Sequence, residues 1–380
     1  MLRVDVLRLE VAASPNRYTL SRNREDAMNG HHRVASAIAA AVLTATPFSA
    51  AAHHSMSEFN RDVVTEVDGV VSKVSWKNPH ILLEVTSTDP KGAKLVWTLE
   101  GGAVSAQRRR GLTGDRLAVG DRVRVAGWPS TRRDRYLQVN HVLLPDGVEL
   151  LVGGVREPRW SGKTAGGTAV AATRKPAAAL GDSIFRVWSQ GTGAWFFAGR
   201  SNYQLTASAA AAVARWDDIT DNPLTRCVAP GMPSLMGNPY PMEFVQVGPD
   251  IELRFEEFDA VRKIHMGAGA TRPAAAPLSP LGYSVGRWEG KTLIIDTSRI
   301  NWPYFDRSGA PQTQNVTINE RFTVAADGNR LNYVMTVNEP ATLVKSFVWN
   351  AYWAWNPGEV VNRYECTLEE WAATRTPRRK

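Results

Sequence analysis

Cysteine is scarce in this chain: of 380 residues, only Cys227 and Cys366 carry a thiol. Two are too few for a cysteine-based zinc module or an iron–sulfur cluster. No apolar run reaches the roughly 18–20 residues that a membrane-spanning helix needs. Several catalytic signatures are also missing. The Gly-x-Ser-x-Gly run Gly282-Tyr283-Ser284-Val285-Gly286 opens a predicted strand and is not a strand-to-helix elbow, and there is no phosphate-binding loop, no Gly-x-Gly-x-x-Gly after a strand and no His-Glu-x-x-His helix. These absences remove support for the standard serine-hydrolase, nucleotide-binding and zinc-protease readings. Charge is moderate, with 22% charged residues against 43% hydrophobic ones. That balance excludes a disordered chain and leaves enough apolar material for a buried core. Thirteen tryptophans imply large apolar surfaces. The length fits about two to three domains.

The first fifty residues do not read as part of a folded body. Residues 1–27 are polar and unpatterned, an upstream extension to be set aside. From Met28 the chain has a weakly basic start, an apolar run over 34–48 and small residues at Ser49-Ala50-Ala51-Ala52. That order is the form of a secretory signal over 28–52. It predicts a periplasmic or secreted protein. The whole chain carries 45 Lys and Arg against 37 Asp and Glu, a formal charge of +8. Cutting away residues 1–52 removes six arginines and four acids and leaves +6. A modest positive charge outside the cytoplasm suits a polyanionic envelope component as well as it suits nucleic acid. In an oxidising compartment Cys227 and Cys366 are expected to pair, the alternative being two free thiols.

Two folded parts are predicted, both mainly β. Residues 53–151 show alternating strands over 64–76, 81–87, 95–100, 121–126 and 136–144, with a short helix at 102–111 and a bulge at Gly69. Five strands with one helix after the third is the order of an OB-like barrel. Residues 152–182 are Gly-, Ala-, Lys- and Thr-rich without periodicity and read as a flexible linker. Residues 183–372 open with a helix near 204–217 and then give nine strands, the last at 360–368. Short turns such as Glu289-Gly290-Lys291 and Asp327-Gly328-Asn329 join several of them. This predicts a lipocalin-like antiparallel barrel or curved sheet, able to hold a small apolar molecule. Residues 373–380 are a basic tail.

Two stretches carry a resemblance. Ala52-His53-His54-Ser55, Trp76-Lys77-Asn78-Pro79-His80 and Leu144-Pro145-Asp146-Gly147 resemble an uncharacterised family of secreted proteobacterial proteins. Its members begin the mature chain with Ala-His-His and carry a Trp-x-Asn-Pro-His motif. The second half resembles another uncharacterised secreted family through Asn222-Pro223 to Cys227, Pro230-Gly231-Met232-Pro233, Ser284-Val285-Gly286-Arg287-Trp288-Glu289-Gly290 and Glu320-Arg321-Phe322. Where that family places Pro-His ahead of the Glu-Arg-Phe strand, this chain has Pro311-Gln312. Both resemblances imply export; neither implies an activity.

The histidines carry the sharpest chemical expectation. Beyond the signal segment there are five, at 53, 54, 80, 141 and 265. A new amino terminus at Ala52 or His53 would bring an amine, backbone amides and imidazole together, and His80 could add a further ligand. Nitrogen donors in tetragonal geometry favour Cu(II), so copper is the expected cofactor, with His53, His54 and His80 as its ligands. The plainer alternative is a set of solvated or structural histidines. His141 and His265 are expected in core or surface positions. In the second part, Arg287, Trp288, Asp296, Glu320 and Arg321 fall on neighbouring predicted strands. Arg287, Trp288 and Arg321 could hold a polar ligand group, and Asp296 or Glu320 could act as general acid or base in an enzyme of unrecognised class. The competing reading is an ion-pair network between hairpins. Trp349 and Trp353, within an aromatic stretch that includes Phe347, Tyr352 and Trp355, either line an apolar cavity or are ordinary core. Arg108–Arg110, Arg132, Arg133 and Arg135 would suit nucleic acid on an OB-like barrel, but export argues against that partner.

Overall fold

Alternation of side chains builds the first barrel. In β1 (Thr65–Ser75), β2 (Leu82–Thr88) and β3 (Lys94–Glu100), Val67, Val71, Leu83, Val85 and Leu99 point inward and are buried. After the short helix α1 (Val104–Arg109), β4 (Arg122–Pro129) and β5 (Tyr136–Leu143) add Val123, Val125, Leu137, Val139 and Val142 to the same core. In this computed structural model, residues 58–153, 155–167, 183–190, 203–267 and 276–367 are described, and all fall within one unit, residues 50–380. The stretch expected as a signal segment, His53, His54 and the basic tail lie outside the described residues.

The pairings close the ring as an OB-like barrel should. β1 pairs with β2 and with β4, β2 with β3, and β4 with β5, all antiparallel. The closing step is the parallel pair β3–β5. Gly69 is not the bulge: the register shift lies between Val71 and Lys73. A β-carbon at Gly69 would stand 2.6 Å from the Thr86 carbonyl oxygen, so glycine there permits close approach of the two strands. Two short strands extend the sheet beyond β5: β6 (Glu149–Leu151) and β7 (Thr164–Gly166), which pair in parallel. β7 lies inside the stretch expected as linker. Its approach is organised by Glu149, whose carboxylate accepts the backbone N–H groups of Arg159, Trp160 and Ser161.

The second sheet is a closed nine-stranded barrel. It begins with β8 (Val187–Gln190), then the helix α2 (Ala207–Arg215), β9 (Met242–Val247), β10 (Asp250–Phe255), β11 (Val261–Met266), β12 (Tyr283–Glu289), β13 (Thr292–Ser298), β14 (Thr317–Val324), β15 (Arg330–Asn338) and β16 (Phe347–Ala354). β8 closes the ring between β16 and β9. One step departs from the antiparallel expectation: β11 and β12 run parallel. A parallel step needs a longer connection than a tight hairpin turn, and residues 267–282 separate the two strands. Of the strand expected at 360–368, the described residues 360–367 form none. That segment instead leaves the barrel and bridges to the first one, with Tyr364 beside Asn78.

Candidate functional site

The connection between β1 and β2 carries Trp76-Lys77-Asn78-Pro79-His80. Asn78 is buried and its amide works in both directions. Its Oδ1 accepts from the Val104 N–H at the start of α1 (3.0 Å), and its Nδ2 donates to the Arg363 carbonyl (3.2 Å). The Asn78–Pro79 peptide is cis. The chain then presents His80 to the end of β3, where its Nδ1 lies 2.5 Å from Glu100 Oε1.

Glu100 is the hub of a mostly buried polar cluster. Its other oxygen accepts from the Tyr136 hydroxyl (2.8 Å) and lies 3.6 Å from Arg133 Nη2. Burial pushes the Glu100 carboxyl upward, but His80, Arg133 and Tyr136 outweigh it and hold the carboxyl at about 2. Burial also raises the Tyr136 hydroxyl well above its usual range, and the charge of Glu100 adds to this, so the hydroxyl stays a donor. Arg133 lies over the Tyr136 ring, 3.2 Å from its centroid, and forks onto Glu58 at 2.6 and 2.7 Å. Ser130 Oγ donates to the same Glu58. Glu58 sits four positions after His54. Glu58 is thus fixed in the cluster that receives His80.

His53 and His54, the other expected copper ligands, lie outside the described residues. Among the described residues, no group of three or more His, Cys, Asp or Glu side chains is arranged to hold a metal ion. His141 and His265 sit apart, against Glu149 (2.7 Å) and Asp250 (3.6 Å). Cys227 and Cys366 are bonded to each other.

The second barrel separates residues that the sequence groups together. Asp296 and Glu320 lie on opposite faces of adjacent strands, since Glu320 is opposite Ile295 and Asp296 opposite Asn319. On the outer face, Arg287 bonds Asp296 at 2.7 Å and Glu289 at 3.2 Å, and Arg321 reaches Glu289 at 3.4 Å. This is an exposed ion-pair ladder across β12, β13 and β14. Trp288 is exposed at the end of its strand. Glu320 points inward, fully buried, with its carboxylate gripped by Arg262 and accepting from the Tyr333 hydroxyl at 2.8 Å. Arg262 also donates to Ser284 and Thr297. Trp349 and Trp353 are core residues in an aromatic cluster around Tyr333, with ring centroids 5.6 and 4.9 Å from it.

Glu58, Glu100, Arg133 and Tyr136 were not anticipated as a cluster. They come from three separate stretches of chain, around Glu58, Glu100 and Arg133–Tyr136, and only barrel closure brings them together. Arg262 left a readable signal. It occupies the inward phase of β11, between Ala260 and Ile264, as Glu320 does in β14 between Ile318 and Phe322. Opposite charges on two inward phases point to a buried pair. The basic residues considered for nucleic acid mostly meet partners within the molecule: Arg109 meets Glu359, Arg110 the Val152 carbonyl, Arg132 Asp217 and Arg133 Glu58.

The fold defines a two-barrel β protein whose polar cluster gathers where the end of β3 meets the start of β5. A family model described as a family of unknown function, DUF6152, matches residues 40–136, a span that holds His53, His54, Trp76–His80, Glu100 and Tyr136. No curated protein and no solved structure matches the chain.

Proposed function

We propose that this chain is an exported binding or accessory protein whose N-terminal barrel holds Cu(II) with His80, His53 and His54. The observation that carries this reading is the contact between His80 Nδ1 and the ionised, buried Glu100. A carboxylate behind one ring nitrogen is the arrangement that fixes tautomer and ring orientation in a metal-ligating imidazole. The position of Glu58 supports the same reading. Four residues span at most about 14 Å, so anchoring Glu58 in the Arg133 cluster keeps His54 within that reach of it. The bonded Cys227 and Cys366 suit an oxidising compartment.

The small apolar molecule of this reading belongs on the outer wall of the second barrel. There a groove of about 500 Å³ runs past Phe258, Leu281 and Tyr283, while Trp349 and Trp353 are packed in the interior. The alternative, an enzyme acting through Asp296 or Glu320, is favoured less, because Asp296 is engaged by Arg287 and Asn319 on the outer face and Glu320 by Arg262 and Tyr333 in the core.

Calorimetric titration with Cu(II) against a competing chelator tests the metal reading. The exported protein should bind one equivalent. His80→Ala should weaken binding at least tenfold, and His53→Ala/His54→Ala should weaken it further. Equal affinity in all three proteins would overturn the reading.

A further inference from the structure

A second site is formed where the C-terminal segment lies against the first barrel. It is a cleft of about 360 Å³, within the range of small-molecule pockets. One wall is Trp76 and Lys77, another follows α1 and includes Arg108 and Gly114, and the third is Asn362, Arg363 and Glu365. Its charges do not cancel. Lys77 is met by Glu365 at 3.7 Å. Arg108 Nη2 is met by the neutral amide oxygen of Asn362 at 3.1 Å. Arg363 contributes its backbone carbonyl to Asn78. Its guanidinium has no hydrogen-bond or ion-pair partner among the described residues. Among the described lining residues, the three cations Lys77, Arg108 and Arg363 stand against one acid, Glu365.

The cleft also has a flat apolar side, held in place. The Trp76 side chain rests on Gly114, where a β-carbon would lie 2.8 Å from the ring, so no larger residue fits beneath it. The opposite wall is pinned as well. Glu365 N–H donates to the Asn78 carbonyl, Tyr364 packs on Phe258 with centroids 4.5 Å apart, and Cys366 is bonded to Cys227. A preformed cleft of this kind loses little ordering entropy when it binds.

We propose that this cleft binds a small ring-bearing carboxylate, its ring against the Trp76 indole and its carboxylate on the Arg108 and Arg363 guanidinium groups. Guanidinium forks match carboxylate geometry, and indole offers a face to either a sugar ring or an aromatic ring. His80 is not among the walls, so this site and the copper site stand or fall separately.

Saturation-transfer NMR with two probes, glucuronate and benzoate, tests the proposal and separates a sugar source from an aromatic one. At least one should bind the full-length protein, while glucose and benzamide, which lack the carboxylate, should not. Arg108→Ala/Arg363→Ala should weaken binding at least tenfold, with Lys94→Ala, on the exposed start of β3, as the unchanged control. Both arginines are exposed, so the double variant should melt like the parent. Failure of both acids to bind, or undiminished binding in the double variant, would overturn the proposal. Displacement of both acids by a short oligonucleotide that binds more tightly would assign the cleft to nucleic acid and overturn it too.

Discussion

Arg262 and Glu320 show what a charge does in the centre of a packed barrel. Both are fully buried, and the pair is completed by Ser284, Thr297 and Tyr333. Removing one partner leaves the other charged, buried and unmatched. Glu320→Ala should therefore cost about 3–5 kcal/mol in a denaturant titration, while Arg262→Met/Glu320→Leu should recover much of that loss. A catalytic Glu320 would give a different result: a folded, stable and inactive single variant. Glu257 is a different case. It is buried beside Arg307 and Asn238, and burial, only partly offset by those two, raises its carboxyl to about 7. The folded protein then holds a proton that the unfolded chain releases above 4.5. That stability is complete below about pH 4.5 and is lost as pH rises to about 7, a change on the order of 3 kcal/mol. Glu257→Gln should flatten this part of the stability profile. Glu100 has the opposite sign, because its carboxyl is held at about 2. Its contribution is present above about 4.5 and disappears as pH falls toward 2, and Glu257→Gln should leave that acid limb in place.

At the level of elements, the connection between β1 and β2 acts as a joint. Asn78 satisfies the first N–H of α1, which has no side-chain cap of its own, and holds the C-terminal segment by the Arg363 carbonyl. Asn78→Ala should cost about 1–3 kcal/mol, since it leaves a buried donor and a buried acceptor without partners. Amide exchange should quicken in both α1 and residues 362–365; exchange changed in α1 alone would show that the joint does not span the two barrels. The long alternating strands were legible because inward and outward residues follow a period of two, as in Val123 and Val125 of β4. β8 was not legible, being four residues whose pairing depends on the distant strands β9 and β16. The parallel β11–β12 step was hidden for the same reason: strand direction is set by where the connection returns, and local pattern does not encode it. Of the group expected on neighbouring strands, Arg287, Asp296 and Arg321 share the outer face, joined through Glu289, while Glu320 is turned to the interior; which face each residue takes depends on cross-strand register.

Across the whole molecule, the C-terminal segment ties the two barrels together. Arg109 meets Glu359, Glu256 accepts from Asn362, and Cys366 is bonded to Cys227 across 139 positions. Closing so long a loop stabilises by about 4–5 kcal/mol in the chain-entropy model. Cys227→Ser/Cys366→Ser should lower the denaturant midpoint accordingly and expose residues 362–367 to proteolysis; an unchanged midpoint would mean that the other joint contacts suffice. The two cysteines could be paired from the sequence once export was inferred. The cluster of Glu58, Glu100, Arg133 and Tyr136 could not be read, because it exists only where the first barrel closes on itself. The copper reading depends on that cluster orienting His80. Pulsed EPR of the protein cut at the expected signal site and loaded with one equivalent of Cu(II) tests it most directly. The reading predicts modulation from the remote nitrogen of a bound imidazole that weakens in His80→Ala and shifts in Glu100→Gln. A spectrum identical in all three proteins would contradict it.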